Sequence, residues 1–359
     1  MSDLRSELTR FTRSLRTSTV DVNVSKDLPQ HHKSDSILFE GQRVTRKRIV
    51  LLTSGCRVKT CTMCPFPNEA LPGIETDNLI NQFESSFIGD VNSYDMVTLF
   101  CNGNFFNDAE TSPEARDHMF KRIRQLGANY AVVESLPQYV TAEKLDHVKG
   151  ILGDVRLGVF MGFQSANDDI RNIAINTTCT KHAFESTTKI LLEHNYIPLA
   201  FLMIKPPFVT ESETIDDVED SVEYLKRLGV TYITLCPNRV APNTTCAVLH
   251  RMGLYGVAWI QTVEEILRIT HRYGLEVMVN TSELKPSINP DSECAISCMT
   301  CRDVRIANIE RYLYSRDVSD IPYVTCSCNS RYELAVRQEH GRWGNTAIAD
   351  RVSGFLASL

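Results

Sequence analysis

The sequence lacks any apolar run long enough to cross a membrane. A spanning helix needs about 20 consecutive apolar residues, and no stretch approaches that length. The N-terminal residues MSDLRSELTRFTRSLR also lack the apolar segment of a secretory signal. From these two absences we expect a cytoplasmic protein without a membrane partner.

An excess of basic residues is absent as well. The chain has 38 Lys and Arg against 44 Asp and Glu, a net charge of −6, whereas proteins that bind nucleic acid usually present a basic surface. We interpret the compact basic cluster at residues 43–48 (RVTRKR) as solvated surface. A nucleic-acid partner is therefore not favoured, although it stays open. The hydrophobic and charged fractions, 43% and 23%, are those of an ordinary globular protein.

Cysteine, in contrast, is abundant, with twelve residues. Stable disulfides are rare in the cytoplasm, so clustered cysteines there favour metal ligation. Eight fall into two groups: Cys56, Cys61 and Cys64, and Cys294, Cys298, Cys301, Cys326 and Cys328. The other four are isolated, and we interpret them as buried, unreactive thiols: Cys101, Cys179, Cys236 and Cys246.

From residue 48 onward, apolar runs alternate with amphipathic stretches. We predict six strands, at residues 48–56, 96–103, 130–137, 155–164, 198–207 and 231–238, with 275–280 as one further strand. We predict helices at residues 77–88, 113–127, 142–149, 181–194, 213–228 and 257–273. Such alternation is typical of parallel βαβ units, and six in series favour a barrel. The predicted fold class is therefore α/β, with a partial, TIM-like (β/α)6 barrel.

Two smaller segments flank the predicted barrel of residues 46–285. Residues 1–45 form an N-terminal extension, with a helix near residues 3–14 and a loop-like segment through His31 and His32, which we interpret as surface. Residues 286–359 form a C-terminal unit with a helix at 304–316. So short a unit has little core of its own, so we expect a metal site to hold it together.

The first cysteine group, Cys56-x4-Cys61-x2-Cys64, directly follows the first predicted strand. In barrels this position lies on the C-terminal face, where active sites form. Three thiolates suit a four-iron cluster that leaves one iron open to a ligand. A structural zinc site would need four ligands, and no fourth Cys or His lies close in sequence. The pattern favours an iron–sulfur cluster over zinc.

This motif resembles that of the radical S-adenosylmethionine (SAM) superfamily, although its first gap is one residue longer than the common x3. The resemblance implies a [4Fe–4S] cluster that binds SAM at its open iron. It implies reductive cleavage of SAM to a 5′-deoxyadenosyl radical, which abstracts hydrogen from a small-molecule substrate. It also implies an external electron donor of the flavodoxin or ferredoxin type.

The resemblance further implies which residues contact SAM. Met63 takes the place of an aromatic residue that packs on adenine, and Lys205 takes a place where it can pair with the SAM carboxylate. The remaining predicted contacts close successive strands: Asn102, Gly103, Asn104, Glu134, Gln164 and Asn238. No residue is assigned a catalytic role.

A narrower resemblance extends from residue 97 to 328. Phrases such as VVESLPQYVTAEKL and LMIKPPFVTESETIDDVEDSV resemble the group of the archaeosine-forming radical SAM lyase, itself akin to the elongator-type proteins. The chain departs from that pattern at Pro65, where the archaeal enzymes have glycine. We expect a nucleoside-like or other small-metabolite substrate, with a 7-deazaguanine tRNA lyase as an alternative.

The second group supplies four thiolates from Cys298, Cys301, Cys326 and Cys328, with Cys294 as an alternative ligand. Such a set can bind zinc or a second [4Fe–4S] cluster. In the superfamily that the chain resembles, C-terminal pairs commonly hold an auxiliary cluster, and this is our prediction. Two further functions stay open: sulfur insertion in the biosynthesis of a sulfur-containing natural product, with the auxiliary cluster as donor, and a non-catalytic zinc-binding scaffold.

Overall fold

A single eight-stranded sheet organises the protein. The computed structural model describes residues 2–20, 23–285 and 292–359. The strands are β1 (His31–Phe39), β2 (Gln42–Leu51), β3 (Met96–Cys101), β4 (Tyr130–Glu134), β5 (Arg156–Gln164), β6 (Ile197–Ile204), β7 (Tyr232–Pro237) and β8 (Glu276–Val279). Their spatial order follows the chain. β1 is antiparallel to β2, and all later neighbours are parallel.

Helices connect the parallel strands. They are α1 (Ser2–Ser14), α2 (Thr76–Ser85), α3 (Pro113–Gln125), α4 (Ala142–Leu152), α5 (Lys181–Glu193), α6 (Glu211–Arg227), α7 (Thr245–Arg251), α8 (Ile260–Arg272), α9 (Arg302–Ser315), α10 (Cys328–Trp343) and α11 (Ile348–Ala357). The predicted α/β class and barrel-like sheet are confirmed, and β8 is the further strand. The sequence did not predict α7, α10 or α11.

The inside of the sheet is filled by apolar side chains. Phe39, Phe160, Leu199 and Tyr232 belong to one buried cluster, contributed by strands on different sides of the barrel. At the N-terminal end, the tight turn between β1 and β2 reaches β8, where the backbone N–H of Glu40 donates to the Glu276 carboxylate over 2.9 Å. The two edge strands therefore approach each other without pairing, and the barrel is nearly closed.

Two predictions about β1 and the basic cluster that it faces are wrong. The segment through His31 and His32 was predicted to be loop-like, but it pairs along its whole length with β2. The basic cluster that it faces is only partly solvated. Arg46 is buried and donates to both oxygens of Asp35, each over 2.8 Å, and Lys47 is buried against Asp90 at 2.7 Å. These acidic partners allow the strand to bury two cations.

The C-terminal helices pack against the barrel. Helix α11 is fixed by Arg351, which pairs with Glu213 near the start of α6 and donates to the carbonyl of Phe208 over 2.7 Å. The division predicted after residue 285 adjoins residues 286–291, which lie outside the described residues, and it stays a prediction. Among the helices of the described residues, none combines the length and apolarity that a bilayer crossing needs.

Candidate active site

The first cysteine group lies in the loop that leaves β2 at the C-terminal end of the parallel strands. Two features fix the path of this loop. The backbone N–H of Cys56 donates to the carbonyl of Asn102 over 2.9 Å. Gly55 has a φ of +79°, and a Cβ there would lie 2.3 Å from Cβ of Ala70. Only glycine therefore allows the chain to turn at this point.

Arg16 holds the other side of the loop. Its two terminal nitrogens donate to the carbonyls of Cys61 and Cys64, each over 2.6 Å. Thr62 anchors the loop to a short π-helical turn at Ile170–Ala174: its hydroxyl donates to the carbonyl of Ala174 over 2.7 Å. Direct hydrogen bonds to Arg16 and Ala174 thus hold the loop in place. The sequence reasoning missed Arg16 because nothing near it in sequence signals the contact.

The three cysteines of the loop are half-buried. Burial, and then the charge of Cys56, raises the pKa of Cys61 to about 11. Burial also raises the pKa of Cys64, and burial together with Glu110 raises that of Cys56. A bound metal centre lowers the pKa of a coordinating thiol and so favours the thiolate that these raised values oppose.

A buried carboxylate, Glu110, lies in the segment that follows β3 and supports the cysteine loop. It is 4% exposed and accepts hydrogen bonds from the backbone of Arg57 (3.0 Å) and the side chains of Asn104 (2.9 Å) and Asn107 (2.7 Å). A Cβ at Gly103 would lie 2.5 Å from this carboxylate. Glu110 was not predicted from sequence, because an acidic residue a few positions after a strand is too common to indicate a role.

Two predicted SAM contacts, Asn102 and Asn104, are buried and bonded to protein. The amide oxygen of Asn102 accepts from the backbone and hydroxyl of Thr53 (3.0 and 2.6 Å). The amide nitrogen of Asn104 lies 3.6 Å from Cys56 Sγ, and its oxygen accepts from the backbone of Leu136 over 2.9 Å. Both side chains therefore position the loop and the first cysteine.

Glu134 and Gln164 are the last residues of two adjacent strands, β4 and β5. Glu134 accepts from the backbone N–H of Cys101 over 2.6 Å, and burial raises its pKa to about 8. Gln164 follows an irregularity in β5 and has a φ of +70°. Its amide oxygen is buried, and among the described residues no partner satisfies it. An unsatisfied buried oxygen is costly, so this strand end suits a ligand that donates a hydrogen bond.

Lys205 lies directly after β6 and is 2% exposed. Its ammonium is 3.2 Å from the carboxylate of Glu211 and also pairs with Glu339 of α10. Burial opposes its charge, but these two carboxylates raise the pKa of Lys205 above its ordinary value. The predicted pairing of Lys205 with the SAM carboxylate stays a prediction, since its charge here is matched by protein.

The side chains of Asn238 and Met63 also contact other side chains of the protein. The amide of Asn238 donates to the hydroxyl of Tyr255 over 2.7 Å and lies 3.3 Å from Cys246 Sγ. Met63 is 7% exposed and belongs to an apolar cluster with Phe208. Their predicted contacts with SAM are not tested by this arrangement.

The second cysteine group is compact. Sulfur–sulfur distances are 3.4 Å between Cys298 and Cys301, 3.3 Å between Cys298 and Cys326, and 3.5 Å between Cys301 and Cys328. All four sulfurs lie within 4.8 Å of one another. Cys294 is not brought into this set, and its sulfur lies 3.9 Å from the carbonyl of Ser292.

This compactness distinguishes the two groups. Over the part of the chain that the structure describes, Cys298, Cys301, Cys326 and Cys328 form the one set of candidate metal ligands found that close together. The sulfurs of Cys56, Cys61 and Cys64 do not all lie within that distance of one another. Four close thiolates can surround a single ion.

Comparisons with known proteins agree with the resemblance. No protein-family model matches the chain. An uncharacterized protein of Methanocaldococcus jannaschii is 25% identical over 81% of this chain and 82% of its own length. Archaeosine synthase subunit beta of Methanosarcina acetivorans is 23% identical over 87% of this chain and 91% of its own length.

A solved structure with partial similarity is the queuine lyase from Clostridium spiroforme bound to SAM and queuine. It is 17% identical, with a TM-score of 0.44, over 57% of this chain and 79% of that one. The sequence relatives, in contrast, match along most of both chains. The chain is thus similar along most of its length to archaeosine synthase subunit beta, the group that its sequence phrases resemble.

Proposed function

We propose that the protein reductively cleaves SAM at a cluster held by Cys56, Cys61 and Cys64, and that it acts on a nucleoside-like or other small molecule. The observation that carries this proposal is the position of the three-thiol loop at the C-terminal ends of parallel strands, fixed by Arg16 and Asn102. A [4Fe–4S] cluster bound there would supply the electron that divides SAM into methionine and a 5′-deoxyadenosyl radical.

The chain's own residues contribute positioning and polarity. Asn104 fixes the first cysteine and is itself fixed by Glu110. Burial raises the pKa of Glu134 to about 8, and the protonated carboxyl can donate one hydrogen bond to a ligand. Gln164, at the end of the neighbouring strand, offers a buried acceptor. A donor and an acceptor at the ends of adjacent strands suit a ribose or a nucleobase.

The substrate class is supported by the named relatives. Two archaeosine synthase beta subunits, from Methanosarcina acetivorans and Thermococcus kodakarensis, match over 87% and 82% of the chain. This favours a 7-deazaguanine or similar base over an unrelated metabolite. Whether the base is free or within tRNA is a second question, and the net charge of −6 favours the free compound.

The test is anaerobic reconstitution with iron, sulfide, SAM and a reductant, followed by quantification of 5′-deoxyadenosine. We expect release by the wild-type protein and none by Cys61→Ala. Cys179→Ala is the matched control, because Cys179 is a buried thiol outside both cysteine groups. Equal release by Cys61→Ala and wild type would overturn the proposal.

A further inference from the structure

We propose that Cys298, Cys301, Cys326 and Cys328 bind one zinc ion in a closed tetrahedral site, and that this ion fixes helix α10 where Glu339 reaches Lys205. The proposal concerns a site separate from the SAM cleavage proposed above and does not depend on it. It replaces the auxiliary [4Fe–4S] cluster that the sequence led us to predict.

Sulfur spacing is the first argument. With zinc–sulfur bonds near 2.3 Å, a tetrahedral site has sulfur–sulfur edges of about 3.8 Å. The three distances here are 3.3 to 3.5 Å, and the whole set lies within 4.8 Å. In a four-iron cube each cysteine sulfur binds a different iron, so the four sulfurs are held farther apart than around a single ion. The set has room for one ion and not for a cube.

Groups around the sulfurs are those of a thiolate site. Arg305 Nε lies 3.3 Å from Cys301 Sγ, the Ser297 hydroxyl lies 3.1 Å from the same sulfur, and Gln261 Nε2 lies 3.4 Å from Cys328 Sγ. Four thiolates around a divalent ion leave a net negative charge, which the Arg305 guanidinium partly offsets. Such outer contacts orient ligands and tune metal sites. Four protein ligands leave no open position, as in structural zinc sites.

Helix α10 needs an anchor of this kind. Cys328 is its only buried residue, so it has little apolar surface to hold it on the barrel. Cys328, Tyr332 and Glu339 share one face, because eleven residues make about three turns. Along that face, Tyr332 accepts from the hydroxyl of Thr262 over 3.1 Å, and Glu339 pairs with Lys205. The ion at one end thus positions the carboxylate at the other.

A zinc ion at the second cysteine group would limit the reactions open to the protein. An auxiliary cluster could donate sulfide to a substrate, whereas a zinc ion closed by four cysteines holds no sulfide to give. The zinc site therefore removes the sulfur donor that the sulfur-insertion alternative needs. It leaves cleavage or rearrangement of the substrate as the chemistry that the chain supports.

The experiment isolates the second site by removing the first. The full chain carrying Cys56→Ala, Cys61→Ala and Cys64→Ala is purified anaerobically, incubated with iron and sulfide, and analysed for metals. We expect one zinc and no iron per chain, and a zinc-edge X-ray absorption spectrum with four sulfurs at about 2.3 Å. About four irons per chain with cluster absorption would overturn the zinc assignment, whatever the wild-type protein does with SAM.

Control variants and fluorescence test the remaining claims. Adding Cys294→Ser to that variant should leave the zinc content unchanged, whereas adding Cys298→Ser should lower it.

The two tryptophans of the chain report on α10. The ring of Trp259 is 5.9 Å from that of Tyr332, and Trp343, at the end of the helix, is 6.4 Å from Phe208. Chelation of zinc should therefore shift tryptophan emission to longer wavelength. Zinc loss without a shift would overturn the coupling to α10.

Discussion

The carboxylate of Glu339 pairs with the ammonium of Lys205, two residues separated by 134 positions in sequence. The lysine is 2% exposed, and the second carboxylate that it contacts, on Glu211, is fully buried. This pairing joins α10 to the end of β6. It makes the Lys205 network a place where stability and the geometry of the site are linked.

Lys205→Met should destabilise the fold by about 3 kcal/mol at pH 8, because removing one partner of a buried ion pair leaves the other charge without compensation. The loss should be smaller at pH 5. Burial already raises the pKa of Glu211 and Lys205 lowers it, so without the lysine this carboxyl takes up a proton more readily and becomes neutral. Chemical denaturation at both pH values measures the difference. Lys189→Met, at an exposed lysine, should change neither value appreciably.

Glu110→Gln should lower the amount of iron retained after reconstitution. Glutamine replaces one carboxylate oxygen of Glu110 with an NH2 group, which cannot accept the hydrogen bonds that neighbouring N–H groups now donate. Leaving such a donor without an acceptor at a buried site costs about 1–3 kcal/mol. The donors that lose their acceptor are the backbone N–H of Arg57 and the side chain of Asn104, which lie beside the first cysteine. Iron analysis after desalting measures the effect, and Glu114→Gln, at an exposed position of α3, is the control. Full iron retention by the Glu110 variant would contradict its supporting role.

Arg16→Lys should also weaken cluster retention, although it keeps the positive charge. Arginine donates to the carbonyls of Cys61 and Cys64 at once, and a single ammonium does not reproduce that fork. The measurement is the rate of cluster loss, followed by absorbance under a chelator. A rate equal to that of wild type would show that charge alone is required.

The pH dependence of stability should reveal Glu134. Its pKa is 4.5 ordinarily and about 8 in the folded protein, because of burial. Between these values the native state holds a proton that the unfolded chain has released, so stability falls as pH rises. Glu134→Gln should flatten that fall, as seen by denaturation at several pH values. Glu143→Gln, at an exposed position, should retain the wild-type slope.

The barrel could be predicted from sequence because its strands are continuous apolar runs between amphipathic helices. Strand β1 could not, since HHKSDSILF has few apolar residues and becomes a strand only by pairing with β2. The burial of Arg46 and Lys47 depends on Asp35 and Asp90. Such cation burial is decided by tertiary partners and not by local composition.

The cysteine loop could also be predicted, because three thiols stand close together in one short segment. Its supports could not. Arg16 lies in the N-terminal segment and Glu110 beyond β3, and only the fold brings them to Cys61 and Asn104. For the second group, the four candidate ligands could be predicted from sequence, but the choice between metals depends on sulfur spacing, which sequence does not contain.

The central claim is that Cys56, Cys61 and Cys64 hold a cluster with an iron open to SAM. The most direct measurement is the electron paramagnetic resonance spectrum of the anaerobically reduced, reconstituted protein, recorded before and after SAM is added. We predict a cluster signal whose shape changes when SAM binds, with no such signal in Cys61→Ala. A signal identical with and without saturating SAM, or one that persists unchanged in Cys61→Ala, would contradict the account.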